Sequence, residues 1–196
     1  HRAHASTTGV ASYIKDSAVG YLMRRELQFL GEALSDPVRP FVAILGGAKV
    51  SDKIKVIEKL LDKVQTLIIG GGMACTFLKS QGYEIGSSLL EENSLDLATN
   101  VIREAEKKGV EFLLPVDAVI AERSDNNAST RIISVEEGVP EGWLILDIGP
   151  RSIEIFRHTI LGSGTVLCNG PMGVFEMEKF SKGTYGVAES LANATD

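Results

Sequence analysis

The chain has 196 residues, 44% hydrophobic and 23% charged, with 20 Lys and Arg against 26 Asp and Glu and a formal net charge of −6. That length suits one domain, or one with an appendage, and the acidic balance argues against a nucleic-acid partner, so an anionic ligand would need lysines gathered locally. Cys75 and Cys168 make no disulfide framework, which favours a reducing compartment, and no apolar run reaches the roughly 18 residues of a membrane span; a cytoplasmic enzyme or binding domain is expected.

The opening "HRAHASTTG" carries two of the three histidines and an arginine, with neither a methionine nor a targeting pattern, and reads as a cut inside a longer protein. Residues 20–34, "GYLMRRELQFLGEAL", predict a helix that ends at the two prolines of "SDPVRP". The runs "FVAIL" (41–45), "TLIIG" (66–70), "VEFLLPV" (110–116) and "TVLCN" (165–169) are short and bounded by Gly or polar residues. Strands buried on both faces read this way. Between them Ile54, Ile57, Leu61 and Val64 recur at helical spacing, and Leu95, Leu97, Val101 and Ala105 do so more loosely. This alternation predicts an α/β fold, a doubly wound, Rossmann-like parallel sheet with helices on both faces and right-handed crossovers. "ERSDNNAST" (122–130) predicts a surface loop before an edge strand in "RIISV".

Parallel sheets of this kind bind ligands beyond the carboxyl ends of their strands. After the first strand stand Gly46, Gly47, Ala48, Lys49, Val50, Ser51, Asp52 and Lys53, with Ser51 suited to cap a helix. Bare glycines admit a ligand close to the backbone. Two lysines at a helix N-terminus are unfavourable unless an anion joins them, because that end prefers negative charge; a polyphosphate would relieve the conflict. A tight turn with two solvated lysines is the competing explanation, and neither GxxxxGK[ST] nor a full GxGxxG is present.

"GGGMACTF" (70–77) after the second strand allows either a flat ligand or close strand–helix packing. "LDIGPRS" (146–152) is explained by a turn alone. In "CNGPMGVFE" (168–176), Asn169 offers a donor and an acceptor, and Glu176 could accept from sugar hydroxyls; turn chemistry is again the alternative. His158 reads as a surface helix residue, Cys75 and Cys168 as small buried packing residues, and Trp143 as a loop anchor. No His, Cys and carboxylate cluster has metal-ligand spacing.

Taken in order, "HRAHAST", "GGAKVSDKI", "IIGGGM", "LPVD", "LDIGP" and "NGPMGVFE" resemble phosphoglycerate kinases over essentially the whole chain. The resemblance implies a glycolytic enzyme of two doubly wound domains joined by a helical hinge. It moves a phosphoryl group between 1,3-bisphosphoglycerate and MgADP, giving 3-phosphoglycerate and MgATP. Residues 1–19 would end the N-terminal substrate domain, 20–37 would form the hinge helix, and 38–196 would be an incomplete nucleotide-binding domain. By the same resemblance, Arg2, with His1 and His4, would contact phosphoglycerate, and Lys49 and Arg2 would be catalytic. Lys53 would hold the nucleotide phosphates, Gly70, Gly71 and Gly149 the adenine, Asn169 the phosphate chain, and Glu176 the ribose hydroxyls. Phosphoryl transfer relies on such positioning and charge neutralisation rather than on a covalent intermediate.

Ile145 is bulkier than the residue the family often has there, and the chain stops at "LANATD", before the family's Gly-Gly-Asp-Ser/Thr segment whose Asp serves Mg2+. No metal-binding residue is therefore assigned, Mg2+ is expected only with the nucleotide, and turnover by this piece is not expected. The parent is expected to be monomeric, without membrane or nucleic-acid partners, while the cut sheet would leave an edge that invites association. A non-catalytic nucleotide-binding fragment is one alternative. A dinucleotide-binding oxidoreductase domain is another, disfavoured because no glycine fingerprint is followed at about 20 residues by an acidic residue after a second strand.

Overall fold

Pro115 divides the apolar run at 110–116: without an N–H it cannot continue a sheet ladder, so one strand stops at Leu113 and another begins at Asp117. That break yields two sheets. In this computed structural model, which describes residues 4–194, the elements run α1 (Tyr21–Ser35), β1 (Phe41–Leu45), α2 (Ile54–Leu60), β2 (Thr66–Ile69), α3 (Gly72–Ser80) and α4 (Leu95–Lys107). They continue as β3 (Glu111–Leu113), β4 (Asp117–Ala121), β5 (Thr130–Ser134), β6 (Leu144–Ile148), α5 (Pro150–Leu161), β7 (Thr165–Asn169) and α6 (Lys182–Asn193).

β1, β2, β3 and β7 form a parallel sheet in the order β3-β2-β1-β7. These are the four runs anticipated as strands. β4 lies between β5 and β6, antiparallel to both, as a second sheet that the alternation of apolar runs did not foretell. On one face of the parallel sheet Val42, Ile44 and Ile68 pack with Ile148, Phe156, Ile160, Met172 and Val187. The two-residue side-chain period then turns Phe41, Ala43, Leu45, Leu67 and Ile69 to the opposite face, where none is more than 1% exposed. Each such buried Ile, Leu or Phe contributes on the order of 1.5–3 kcal/mol relative to exposure.

The chain divides into two compact units, residues 1–36 and 37–196. In the first, α1 carries Tyr21, Leu22, Leu27, Phe29 and Leu30 exposed. In the second, β7 is an edge strand whose residues are half-exposed or exposed, and Cys168 is exposed rather than buried because nothing pairs with that side of β7 among the described residues. No helix among the described residues is long and apolar enough to cross a membrane.

Candidate functional site

The glycines at the strand ends lace three loops together. Gly46 N–H donates to Asn169 O (2.9 Å), Gly47 N–H to Pro171 O (3.1 Å), Gly71 N–H to Met172 O (3.0 Å), and Met73 N–H to Gly47 O (2.9 Å). Gly71 has φ 69°, and a Cβ there would stand 2.6 Å from Gly47 N, so only glycine fits. The Gly46 and Gly47 amides are thus engaged by protein carbonyls, and their use is to join the carboxyl ends of β1, β2 and β7.

That lacing puts Lys53 beside Asn169. The Lys53 Nζ donates to Asn169 Oδ1 and to Asn169 O, the latter at 3.1 Å. Burial lowers the Lys53 ammonium below its ordinary pKa, with Cys168 and Asp52 opposing the shift. Lys49 stands exposed on the same loop. Helix α2 begins at Ile54 with Lys53 at its N-cap, later than expected. Ser51 does not cap it; the Ser51 hydroxyl donates to Glu91 Oε1 at 2.6 Å instead. Glu91 Oε2 also accepts the Val50 N–H (2.5 Å) and the Ser51 N–H (3.1 Å). Burial alone would raise the Glu91 carboxyl, but the Ser51 hydroxyl, these amides and the Lys49 charge outweigh it and hold the group below the ordinary carboxylate range.

A cavity of about 470 Å³ opens from Gly47, Ala48 and Pro171. Its walls are mainly apolar, with Leu78, Leu89, Ile145 and Met172 among them and Gly71 and Gly72 on one side, while Glu176 reaches it as an exposed carboxylate. Such a chamber suits a flat apolar ring with a polar tail. Ile145 lines the chamber without closing it. Gly70 and Gly149, expected to line an adenine pocket, stand behind the walls. A Cβ on Gly70 would collide with Met172, and one on Gly149 with the Asp117 carboxylate, so both glycines are demanded by packing.

Two buried carboxylates shape this region. Asp117 accepts the Arg151 N–H (3.0 Å), the Ser152 N–H (2.8 Å) and the Ser152 hydroxyl (2.5 Å), capping α5 from outside the helix. Asp147, 1% exposed, lines the cavity and accepts the Ile148 N–H (2.9 Å) and the Gly183 N–H (2.7 Å). Burial raises its pKa to about 6 against the pull of those amides. The thiol of Cys75, on the cavity wall, is pushed up to about 12 by burial.

Lys49, Lys53, Asn169, Gly71 and Glu176 therefore share one region of the second unit. His4 lies in the first unit, exposed, with its Nδ1 2.9 Å from Ser6 Oγ. His1 and Arg2 lie outside the described residues. Sequence reasoning missed Glu91, whose partners are some 40 residues away, and gave Asp117 and Asp147 no role although both stand in motifs it quoted.

Residues 1–196 match the family model for phosphoglycerate kinase. The phosphoglycerate kinase of Chloroherpeton thalassium is 54% identical over 195 residues, covering 100% of this chain and 49% of the relative. That of Clostridium novyi is 55% identical over 194 residues, covering 99% and 48%. Among solved structures, phosphoglycerate kinase from Coxiella burnetii superposes with a TM-score of 0.88 at 44% identity, over 100% of this chain and 50% of that one. Phosphoglycerate kinase from Pyrococcus horikoshii does so with a TM-score of 0.76 at 29% identity, over 89% and 44%. The chain spans about half the length of the curated relatives it matches. It belongs to the phosphoglycerate kinase family.

Proposed function

We propose that this chain supplies the nucleotide half of a phosphoglycerate kinase, the enzyme that moves a phosphoryl group between 1,3-bisphosphoglycerate and ADP, and that it works in the cytoplasm. The observation that carries this is the meeting of Lys53 and Asn169 on the two loops whose Gly47 and Pro171 line an apolar cavity that Glu176 also reaches. In this reading the adenine enters between Gly71 and Ile145, Glu176 accepts from the ribose hydroxyls, and the phosphates run past Asn169 to Lys53 and Lys49. Gly70 and Gly149 set the walls through Met172 and Asp117.

The attacking group is an ADP phosphate oxygen, already anionic, so no general base is required. The two ammonium groups orient the phosphates and offset charge as the phosphoryl group passes between oxygens. Phosphate beside Lys53 also favours the charged ammonium form that burial disfavours. Mg2+ enters as the ion carried by the nucleotide phosphates, where it neutralises them. Among the described residues no three His, Cys, Asp or Glu side chains are placed together to hold a metal ion. The acid substrate falls to the N-terminal side, with Arg2, His1 and His4 in the basic patch and residues 1–19 closing that domain. Residues 20–37 act as the hinge and 38–196 as the nucleotide domain, in a monomeric parent. The isolated chain is a nucleotide binder without turnover.

Calorimetric titration with MgADP, with NAD in parallel, tests this. MgADP binding that weakens by tenfold or more in Lys53→Ala, with no NAD binding, is expected: an ion pair at about 4 Å is worth on the order of 1–4 kcal/mol near a protein surface. Equal affinity of wild type and Lys53→Ala, or NAD binding in place of MgADP, would sink the proposal.

A further inference from the structure

The loop that carries Lys49 is held by a residue the proposed chemistry does not use. Glu91 sits just before the 3-10 turn Glu92–Ser94, ahead of α4, and its own N–H donates to the Thr76 hydroxyl of α3 at 3.2 Å. Thr76 is 1% exposed, so this anchor belongs to the packed interior. From there the Glu91 carboxylate collects the Val50 N–H, the Ser51 N–H and the Ser51 hydroxyl at 2.5, 3.1 and 2.6 Å. We infer that Glu91 is the positioning residue for Lys49, fixing the outer half of the Gly46–Lys53 loop by filling its donors with a resident carboxylate. The inference rests on the nucleotide-binding reading of the cleft.

The loop has two ends and two kinds of anchor. Its inner end is tied to the β7 loop, Gly46 to Asn169 and Gly47 to Pro171. Its outer end is tied to Glu91, and Lys49 stands between the two, next to Val50, which is 0% exposed. A buried amide such as Val50 N–H needs a partner, and charge-assisted bonds to a carboxylate are roughly twice as strong as neutral ones. In a glycine-rich phosphate loop of the Walker kind, backbone amides themselves receive the phosphate. Here Glu91 takes those of Val50 and Ser51, and carbonyls take those of Gly46 and Gly47. With those four amides engaged, the lysine ammonium groups are the positive charges this loop offers a phosphate, so where Lys49 leaves the backbone matters, and Glu91 sets it.

The test uses the 196-residue chain as wild type, Glu91→Ala, Glu91→Gln and Lys53→Ala, with calorimetric affinities for a nonhydrolysable MgATP analogue, MgADP and adenosine. Amide exchange at Val50 and Ser51 is read alongside. Glu91→Ala is expected to lose about tenfold in affinity for the triphosphate, with adenosine binding within twofold of wild type and the two amides exchanging at least tenfold faster. Glu91→Gln, whose carboxamide oxygen can still accept, is expected to fall between. It carries the test should the alanine variant fail to fold. Adenosine affinity separates positioning from general damage, because a merely structural role would weaken adenosine in parallel, and that outcome overturns the inference. Unchanged exchange at Val50 and Ser51, or faster exchange with unchanged triphosphate affinity, overturns it equally. If wild type binds no MgADP, or Lys53→Ala binds it as wild type does, the nucleotide reading fails first and the role of Glu91 falls with it. If wild type and Lys53→Ala differ as expected while Glu91→Ala matches wild type, only the Glu91 inference is lost.

Discussion

Asp117→Ala should destabilise the second unit by about 3 kcal/mol, and the number follows from what the carboxylate holds. Asp117 is 3% exposed and takes the Arg151 and Ser152 amides at 3.0 and 2.8 Å, the free N–H groups at the start of the 12-residue helix α5. Removing it leaves the buried Ser152 N–H without its acceptor, at about 1–3 kcal/mol, and the Arg151 N–H, on an exposed residue, at less. It also removes a negative charge from the positive end of α5, worth about 0.3–1 kcal/mol. The Ser152 hydroxyl loses less, because it can turn to Asp117 O at 3.1 Å, which survives the substitution. Against these losses, the variant no longer has to desolvate a carboxylate, and that offset keeps the net near 3 kcal/mol. Asp117→Asn retains one acceptor and should cost roughly half as much. Urea unfolding followed by circular dichroism measures both. An alanine variant within about 0.5 kcal/mol of wild type, the range of an ordinary surface change, would refute the claim that Asp117 is the cap of α5. A double-mutant cycle with Ser152→Ala should show coupling of about 0.5–3 kcal/mol, since the two side chains share one network.

Further outcomes follow from other contacts. Gly70→Ala places a methyl against the Met172 thioether, 2.9 Å from its Cε. Overpacking of this kind costs about 1–3 kcal/mol and pushes Met172 toward the cavity it lines; a lower melting temperature together with weaker adenosine binding is expected. The Asp147 pKa lies near 6 in the folded chain, above the ordinary 3.8. The folded state therefore holds that proton more tightly than the unfolded state, and this carboxyl makes stability fall as pH rises from about 4 to 6. Set against Asp147→Asn, which lacks the titration, wild type should lose up to about 3 kcal/mol across that window. Parallel stability–pH profiles for the two proteins would show the Asp147 assignment to be mistaken.

The strands of the parallel sheet were legible because β1, β2, β3 and β7 lie in short, mainly apolar runs, and α/β alternation constrains how such runs pair. Of the antiparallel sheet only the edge strand β5 was, in "RIISV"; β4 and β6 were not, for a reason visible in their residues. β4 opens on Asp117, and β6 reads Leu-Ile-Leu-Asp-Ile, with a carboxylate in mid-strand. A buried Asp looks forbidding in a sequence until its acceptors are filled, and those of Asp117 and Asp147 are filled by Ser152 and Gly183, 35 and 36 residues away. Ser51 misled in the same way: its hydroxyl had a plausible local use at a helix start, and Glu91 claimed it from 40 residues off. Lys53 and Asn169 were marked as phosphate contacts through resemblance, but their meeting across 116 residues is a product of β1 and β7 pairing in register, Leu45 with Asn169. The glycines of 46–47 were read as openings for a ligand and those of 70–72 as either openings or close packing; at Gly46, Gly70 and Gly71 an added Cβ would collide where the loops cross, so packing demands them.

Where a nucleotide sits on this chain is shown most directly by a crystal structure with MgADP. The adenine is predicted in the cavity between Gly71 and Ile145, the ribose at Glu176, and the phosphates beside Asn169, Lys53 and Lys49. Nucleotide bound elsewhere, or the same cavity filled with the phosphates turned away from Lys53, would contradict that placement.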